Sequence, residues 1–168
     1  ASLLIQTAGL NILFDPVWSQ RASPVSFTGP KRVNAPGVAL EDLPPVDAVI
    51  VSHNHYVHLD VMTLAQLHEK FGPRIITPLG NDVIMKSHHA GLKVSAHDWG
   101  DSITLGNGID VHVVPTHHWS ARGMLDRRMA LWASFVLTTP HGNIFLVGDS
   151  GFHDGIYYRQ IAEKFGPF

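Results

Sequence analysis

The sequence predicts a mixed α/β fold in which helices cover sheets from the outside. Short apolar runs rich in β-branched residues alternate along the chain with runs of helical period, which favours sheets flanked by helices. Three segments that contain His or Asp, at 52–60, 115–120 and 148–151, each follow an apolar run. Ligands that leave strand ends on tight loops can converge on one ion, so the same pattern predicts a shared site.

The composition is that of an ordinary globular domain. A chain of 168 residues, with 45% hydrophobic and 15% charged residues, is enough for one domain with a sizeable core. The formal net charge of -2 and the lack of a Lys/Arg run give no broad electrostatic surface for nucleic acid, so no nucleic-acid partner is expected. Because the chain has no Cys, only His and carboxylate side chains can hold a transition metal.

The sequence shows neither a membrane-spanning nor a signal segment. No apolar run approaches the roughly 20 residues that cross a bilayer, and no basic stretch precedes a signal-like apolar core. We therefore expect a cytoplasmic protein, with membrane association as the alternative.

The first 45 residues are predicted to form two strands and a long loop. Residues 2–7 and 10–15 are predicted strands joined by a tight turn, and Pro16 ends the second because it cannot donate to a ladder. Residues 17–45 hold five Pro and show no sustained period, which predicts a long ordered loop. Such a loop either walls a substrate cleft or packs onto its own domain.

The rest of the chain alternates short strands and helices. Asp60 is the natural N-cap of a helix that starts at residue 61, and Gly72 with Pro73 forms its stop. Gly91 is expected to cap the second helix. The remaining predicted elements are strands at 47–52, 74–77, 93–96, 102–105, 109–114, 131–138 and 143–147, and helices at 81–90 and 155–165.

Three histidines form the most informative cluster. His53, His55 and His58 lie within six residues, where an apolar strand-like run gives way to a helical one. Neutral imidazole is the commonest protein ligand for borderline-soft metals, so a metal site is the first hypothesis. A polar surface loop in a chain with 12 His is the alternative.

The run at 53–58 resembles the His-x-His-x-Asp-His signature of the metallo-β-lactamase superfamily. The resemblance is to the branch that contains N-acylphosphatidylethanolamine-hydrolysing phospholipase D and L-ascorbate-6-phosphate lactonase. Stretches at 2–16, 115–120 and 145–151 agree with that branch in the same order. The resemblance implies the four-layer αβ/βα sandwich, with the site in the cleft along the facing sheet edges.

The resemblance covers the whole chain as a single domain, 1–168, and implies that the domain is incomplete at both ends. The family has a further strand before the position of Ala1 and a further segment, with its last His ligand, after that of Phe168. A sandwich of this kind would leave part of its second sheet uncovered. We therefore expect a partner chain at the open sheet, such as a second copy, or else a missing segment or poor solubility.

The resemblance also implies the ligands of a first metal ion. The first two His of the signature, His53 and His55, would act with the His of the third stretch. This third ligand is His118, with His117 as the second choice. Together with Asp149 they form a set that suits zinc, whereas manganese or iron would need added waters.

A second ion has fewer ligands in this sequence. Val57 stands where the signature has Asp, and an isopropyl group offers no lone pair to a metal. His58 and a bridging Asp149 are the family's remaining ligands here. We therefore expect one complete site, and one or two zinc ions in all.

Other side chains have roles around this centre by the same resemblance. His118 and Asp149 are the candidate catalytic residues, with Asp149 orienting a metal-bound hydroxide. Asp15 and Asp60 are candidates for supporting the ligands from behind. For Asp15, the start of a turn before Pro16 is an equal alternative.

Substrate contacts are expected from the segment after His118. Arg presents a planar fork that matches phosphate, so Arg122 or Arg128 is a candidate clamp, and Trp119 a candidate substrate contact. A solvated loop is the alternative for these residues.

The function implied is that of a metal-dependent hydrolase. The leading hypothesis is cleavage of a phosphodiester by metal-bound hydroxide, on a small-molecule or lipid phosphate ester. The alternatives are a lactonase that acts on a phosphorylated sugar lactone, and a catalytically impaired fragment. Val57 and the missing last His ligand of the family would explain the second alternative.

Overall fold

Nine strands and three α-helices make up the part of the chain that the computed structural model describes, residues 2–25 and 27–168. The strands are β1 (Leu3–Thr7), β2 (Leu10–Phe14), β3 (Ala48–Ile50), β4 (Arg74–Pro78), β5 (Val94–His97), β6 (Ser102–Gly106), β7 (Ile109–Val114), β8 (Ser134–Thr139) and β9 (Gly142–Leu146). The helices are α1 (Val61–Phe71), α2 (Asn81–His88) and α3 (Ile156–Phe165), and a short 3-10 helix spans Leu40–Asp42.

The strands form two sheets of different character. The first has the order β1-β2-β3-β4-β5, in which only the β1–β2 pair is antiparallel. Its parallel pairs need crossover connections, which α1 and α2 supply after β3 and β4. The second sheet, β6-β7-β8-β9, is antiparallel throughout.

Three apolar cores give the domain four layers. The central core lies between the sheets, where the Phe14 ring meets the Phe135 ring edge-on with centroids 6.4 Å apart. On the outside of the first sheet, Leu64 and Leu67 of α1 and Met85 of α2 are fully buried. On the outside of the second sheet, α3 packs through its apolar face. The order helix, sheet, sheet, helix confirms the predicted four-layer sandwich.

Local signals explain where the central elements begin and end. All three residues of β3 are buried, as expected for a parallel strand covered on both faces. The Asp60 carboxylate accepts the backbone N–H groups of Met62 and Thr63 and so caps α1. Gly72, with a φ of 62°, ends that helix in the left-handed conformation that favours glycine.

Two of the predicted boundaries that differ from the structure have a physical explanation. The strand expected at 131–138 begins at Ser134, because the residues before it bind outside the second sheet: Leu131 N–H donates to Leu79 O and Ala133 N–H to Ser52 O. The second helix ends at His88, and His89 is extended with a φ of -150°. Gly91 is therefore not its cap.

The connection between β2 and β3 is the long loop that the Pro-rich sequence predicts. The Asp60 carboxylate fastens it to α1 by accepting Ser19 N–H and Oγ–H, each at 2.9 Å. The loop lines a cavity of about 440 Å³, together with Val57. It therefore forms a wall beside the segment that carries the three-His cluster.

None of the helices in the described ranges is long and apolar enough to cross a membrane. The outer strands of the two sheets are β1, β5, β6 and β9. Association of two copies through one of these edges stays a prediction.

Candidate metal centre

The candidate ligands come from both sheets. His53, His55 and His58 lie in the turn between β3 and α1, where His58 N–H and Leu59 N–H both donate to His55 O at 2.9 Å. His118 follows β7 and Asp149 follows β9. The segments after β7 and β9 are tied together, because Gly151 N–H donates to His117 O at 2.8 Å.

Three histidine nitrogens converge on one point. His53 Nε2 lies 2.9 Å from His55 Nδ1, and His118 Nε2 lies 3.2 and 3.3 Å from these two atoms. Asp149 Oδ2 is 3.6 Å from His118 Nε2. Tetrahedral zinc with nitrogens at 2.0–2.1 Å separates its ligand atoms by roughly 3.3–3.4 Å. The observed triangle is close to that size, so the residues present fit a single ion.

The chemistry of the donors supports the same fit. Burial, reinforced by the neighbouring histidines, lowers the pKa of His53 from 6.5 to about 2. Burial is also the main cause that lowers the pKa of His55 and of His118, and the Asp149 carboxylate opposes it. The rings are therefore neutral at pH 7. A neutral imidazole has one N–H and one lone pair, so three of them facing each other suit a cation better than a mutual hydrogen bond.

Asp15 fixes the orientation of two of these rings. Its fully buried carboxylate accepts Ser52 N–H and Ser52 Oγ–H at 2.7 Å and His58 Nδ1–H at 2.6 Å. Since the Ser52 hydroxyl proton goes to Asp15, its oxygen accepts His53 Nδ1–H at 2.9 Å. His53 and His58 therefore both direct Nε2 towards the centre, which is the support that metal-binding imidazoles commonly have.

Gly148 allows the second sheet to reach this network. It has a φ of +65°, and a Cβ atom at this position would lie 3.0 Å from Ser52 Cβ and 3.1 Å from Ser52 Oγ. A side chain at position 148 would push against Ser52 and so displace the backbone that leads into Asp149. The glycine thus permits close approach at the strand end that delivers Asp149.

Asp149 faces two groups at once. Its Oδ2 is directed to the three-His triangle, and its Oδ1 lies 3.2 Å from His58 Nε2. Val57 precedes His58, is half exposed, and lines the cavity beneath the long loop. Among the residues predicted as ligands, only His58 Nε2 and Asp149 Oδ1 thus offer donor atoms to the space beside His58.

His117 turns away from this triangle. Its ring stacks on that of His153, with centroids 4.7 Å apart, and lies 4.3 Å from the ring of Tyr157. Consecutive side chains of an extended segment point to opposite sides, so the structure brings His118, and not His117, to His53 and His55.

Two other predicted site residues have different surroundings. Asp60 accepts hydrogen bonds from the long loop and from the first turn of α1, as described above, and so holds the loop rather than a histidine ring. Trp119 lies at the rim, where its ring meets the ring of His55 edge-on with centroids 4.6 Å apart. The Arg127 guanidinium lies 4.8 Å from the centroid of the Trp119 ring. It is therefore placed beside the centre and open to solvent.

Arg122 holds the three-His turn from outside. Its Nη1 donates to Asn54 O at 2.9 Å and to Leu59 O at 2.8 Å, and the guanidinium lies over the Tyr56 ring at 3.9 Å. Asp126 accepts the backbone N–H groups of Arg122 and Gly123 and thereby shapes the base of the loop. With Nη1 engaged by two carbonyls, Arg122 contacts the backbone of the turn that carries the ligands, and its role as a phosphate clamp stays a prediction.

We expect Arg122→Ala to lower the affinity for zinc by about 10- to 100-fold, the usual effect of losing a supporting contact at a metal site. Competition with a chromophoric chelator measures the affinity. Arg74→Ala is the control, because Arg74 also donates to a backbone carbonyl, that of Thr104, far from the centre. If Arg122→Ala kept the zinc affinity of the wild type and slowed the cleavage of phosphate-bearing substrates but of no others, Arg122 would instead be a phosphate clamp.

Comparison with known proteins places these features in context. Residues 10–168 match the family model of the beta-lactamase superfamily domain. The chain is 36% identical over 177 residues to N-acyl-phosphatidylethanolamine-hydrolyzing phospholipase D 1 of Caenorhabditis elegans, a match that covers 100% of the chain and 49% of the relative. It is 34% identical over 163 residues to the mitochondrial enzyme of that name from Saccharomyces cerevisiae, covering 94% of the chain and 34% of the relative.

A solved structure shows the same fold. The crystal structure of isothiocyanate hydrolase from Delia radicum gut bacteria has a TM-score of 0.72 and 22% identity, and the match covers 99% of the chain and 66% of that structure. At this identity the likeness concerns the fold alone. The chain spans about a third to a half of the length of the two curated relatives above.

Proposed function

We propose that this chain, which belongs to the family of the beta-lactamase superfamily domain, hydrolyses a phosphodiester at a single zinc ion. The ligands of the ion would be His53, His55, His118 and Asp149. The observation that carries the proposal is the triangle of three imidazole nitrogens, with the Asp149 carboxylate beside it as the fourth ligand. When bound there, zinc lowers the pKa of a water ligand to about 7 and polarises a phosphoryl oxygen.

The protein's own groups handle the proton and the charge. Asp15 holds the proton of His58 on Nδ1, so Nε2 presents its lone pair beside Asp149 Oδ1, 3.2 Å away. These two acceptors face the same space and are placed to take a proton from an attacking water. In the reaction the water oxygen bonds to phosphorus, the phosphorus–oxygen bond to the alcohol breaks, and the proton ends on the leaving alcohol.

A single ion is the number that the ligands favour. Beyond the triangle, a second ion would have only His58 and Asp149 among the residues predicted as ligands, since Val57 carries no donor atom. Two protein ligands are fewer than the three that catalytic zinc sites usually have. The second ion of a two-metal mechanism is therefore not required by this proposal.

A lipid phosphodiester is the substrate class that we propose. Two relatives named as phospholipases of this type support it, and so does the loop that Arg122 begins. Met124 and Leu125 at its tip are 98% and 96% exposed, and Arg127 and Arg128 follow them. Apolar side chains beside basic ones suit the interface of an anionic membrane, so the loop is placed to contact the lipid surface.

The test of the reaction is a panel of substrates with zinc-loaded protein. We expect hydrolysis of a soluble phosphodiester, bis(4-nitrophenyl) phosphate, and of N-acylphosphatidylethanolamine in mixed micelles, with phosphate-bearing products identified by mass spectrometry. A phosphorylated sugar lactone serves as the competing substrate. Turnover of the lactone alone, or no turnover by protein that holds a full equivalent of zinc, would overturn the proposal.

For the loop, we expect the double change Met124→Ser and Leu125→Ser to weaken binding to anionic vesicles by at least about tenfold, since a buried Met or Leu is worth roughly 1.5–3 kcal/mol. Sedimentation with phosphatidylglycerol vesicles measures it. Cleavage of the soluble phosphodiester should stay unchanged. Met62→Ser, which alters an exposed methionine on α1, is the control. Equal vesicle binding by wild type and double variant would exclude the loop as a membrane contact.

A further inference from the structure

A second group of metal-binding side chains lies on the far side of the segment that carries His118. It consists of His117, which follows β7, and of His153 and Asp154, which directly precede α3. Each of the three offers one ligand atom, and these atoms all lie within 4.8 Å of one another. None of the three belongs to the centre described above.

The group consists of two imidazoles and a carboxylate at close range. The rings of His117 and His153 are stacked, with centroids 4.7 Å apart and planes 20° from parallel. His153 Nδ1 lies 3.1 Å from Asp154 Oδ1. Imidazole nitrogen with carboxylate oxygen is a donor set that suits zinc, nickel and copper.

Two further observations set this group apart from a chance surface cluster. His117 Nε2 is buried and has no hydrogen-bond partner among the described residues. Buried polar atoms in folded proteins almost always have a partner, so this atom needs an explanation such as an ion. In addition, His153 has a φ of +50°, a left-handed backbone conformation that is uncommon for residues other than glycine. Its ring is the one that stacks on His117.

We propose that His117, His153 and Asp154 bind a second divalent transition metal ion, separate from the three-His centre. Three protein ligands leave at least one position for water. His153 and Asp154 are mostly exposed, so the ion exchanges readily with solvent and is held more weakly than the ion at His53, His55 and His118.

The position of this site links it to the first. Gly151 N–H donates to His117 O, so the segments after β7 and β9 are already paired between the two groups. His118 is the next residue after His117, and Asp149 lies two residues before Gly151. An ion held by His117 and His153 fixes both segments, and with them His118 and Asp149, two ligands of the first centre. Binding at the two sites is therefore mutually strengthened.

The experiment is a zinc titration that needs no enzymatic activity. Elemental analysis after equilibrium dialysis gives zinc per chain at increasing free zinc. We expect one tight and one weaker equivalent in the wild-type protein. His153→Asn should remove the weaker equivalent and keep the tight one, whereas His55→Gln should remove the tight equivalent and keep the weaker one. His141→Asn, at an exposed turn between β8 and β9, should keep both.

Cobalt gives an independent readout, because its visible spectrum reports the donor set. The spectrum of the weaker site should disappear in His153→Asn and in Asp154→Asn, with circular dichroism confirming that both variants fold. Binding of one equivalent by the wild type at saturating free zinc would overturn the proposal. So would a weaker equivalent that survives unchanged in His153→Asn. Failure of the hydrolase proposal leaves these outcomes unaffected, since none of them depends on turnover.

Discussion

The change His118→Ala is expected to abolish the tight zinc equivalent and hydrolysis together. His118 Nε2 is one corner of the nitrogen triangle and the corner nearest to Asp149 Oδ2. Since loss of a mere supporting contact costs 10- to 100-fold in affinity, loss of a ligand should cost at least about 100-fold. A zinc ion supplies several kcal/mol of transition-state stabilisation, so turnover should fall on the order of 1,000-fold.

Elemental analysis of protein purified without a chelating tag measures the first effect, and initial rates with bis(4-nitrophenyl) phosphate measure the second. His141→Ala is the matched control, a histidine in an exposed turn between β8 and β9. A His118→Ala protein that retains zinc and full turnover would place the active centre elsewhere.

The change Val57→Asp is expected to add one zinc equivalent beside His58. A carboxylate at this position joins His58 Nε2 and Asp149 Oδ1, which lie 3.2 Å apart, and so completes three protein ligands. The side chain is half exposed, and exposed substitutions usually change stability by about 0.5 kcal/mol or less. A second ion steadies both the attacking and the leaving oxygen, so the rate should rise at least about tenfold.

The comparison with Val57→Asn separates ligation from polarity, because the amide is a much poorer metal ligand than the carboxylate at the same place. Zinc stoichiometry and rate should both rise in the Asp variant only. An unchanged stoichiometry would show that a side chain at position 57 does not reach the space beside His58.

The strands, the helices and the strand ends that carry the candidate ligands follow from local patterns in the sequence. The apolar run before His53 is a parallel strand buried on both faces, and the helix after Asp60 has its cap and its glycine stop in place, so the turn between them is fixed by its flanks. Strand ends after β7 and β9 meet that turn because sheets in a sandwich face each other. Periodicity and capping therefore predicted the strand ends that carry these residues, whereas the choice of the individual ligands came from the resemblance to the metallo-β-lactamase superfamily.

The supporting contacts could not be predicted in the same way. Arg122 reaches Asn54 across 68 residues of sequence, and no spacing rule links the two. Likewise no spacing rule indicates which ring of the pair His117–His118 faces the centre, since that depends on the pairing with Gly151, and only the family resemblance favoured His118. Residues 131–133 have strand-like composition, yet their backbone groups bind Leu79 and Ser52, because tertiary partners outweigh intrinsic preference.

The origin of the ligands in both sheets has a thermodynamic consequence. His53 and His55 leave the first sheet, and His118 and Asp149 leave the second, so an ion at this point is a cross-link between the two halves of the sandwich. A ligand that binds only the folded state adds RT ln(1 + [L]/Kd) to stability, about 2.7 kcal/mol at a concentration of 100 Kd. Removal of zinc is thus expected to lower the free energy of unfolding of the whole sandwich, because the ion connects its two sheets.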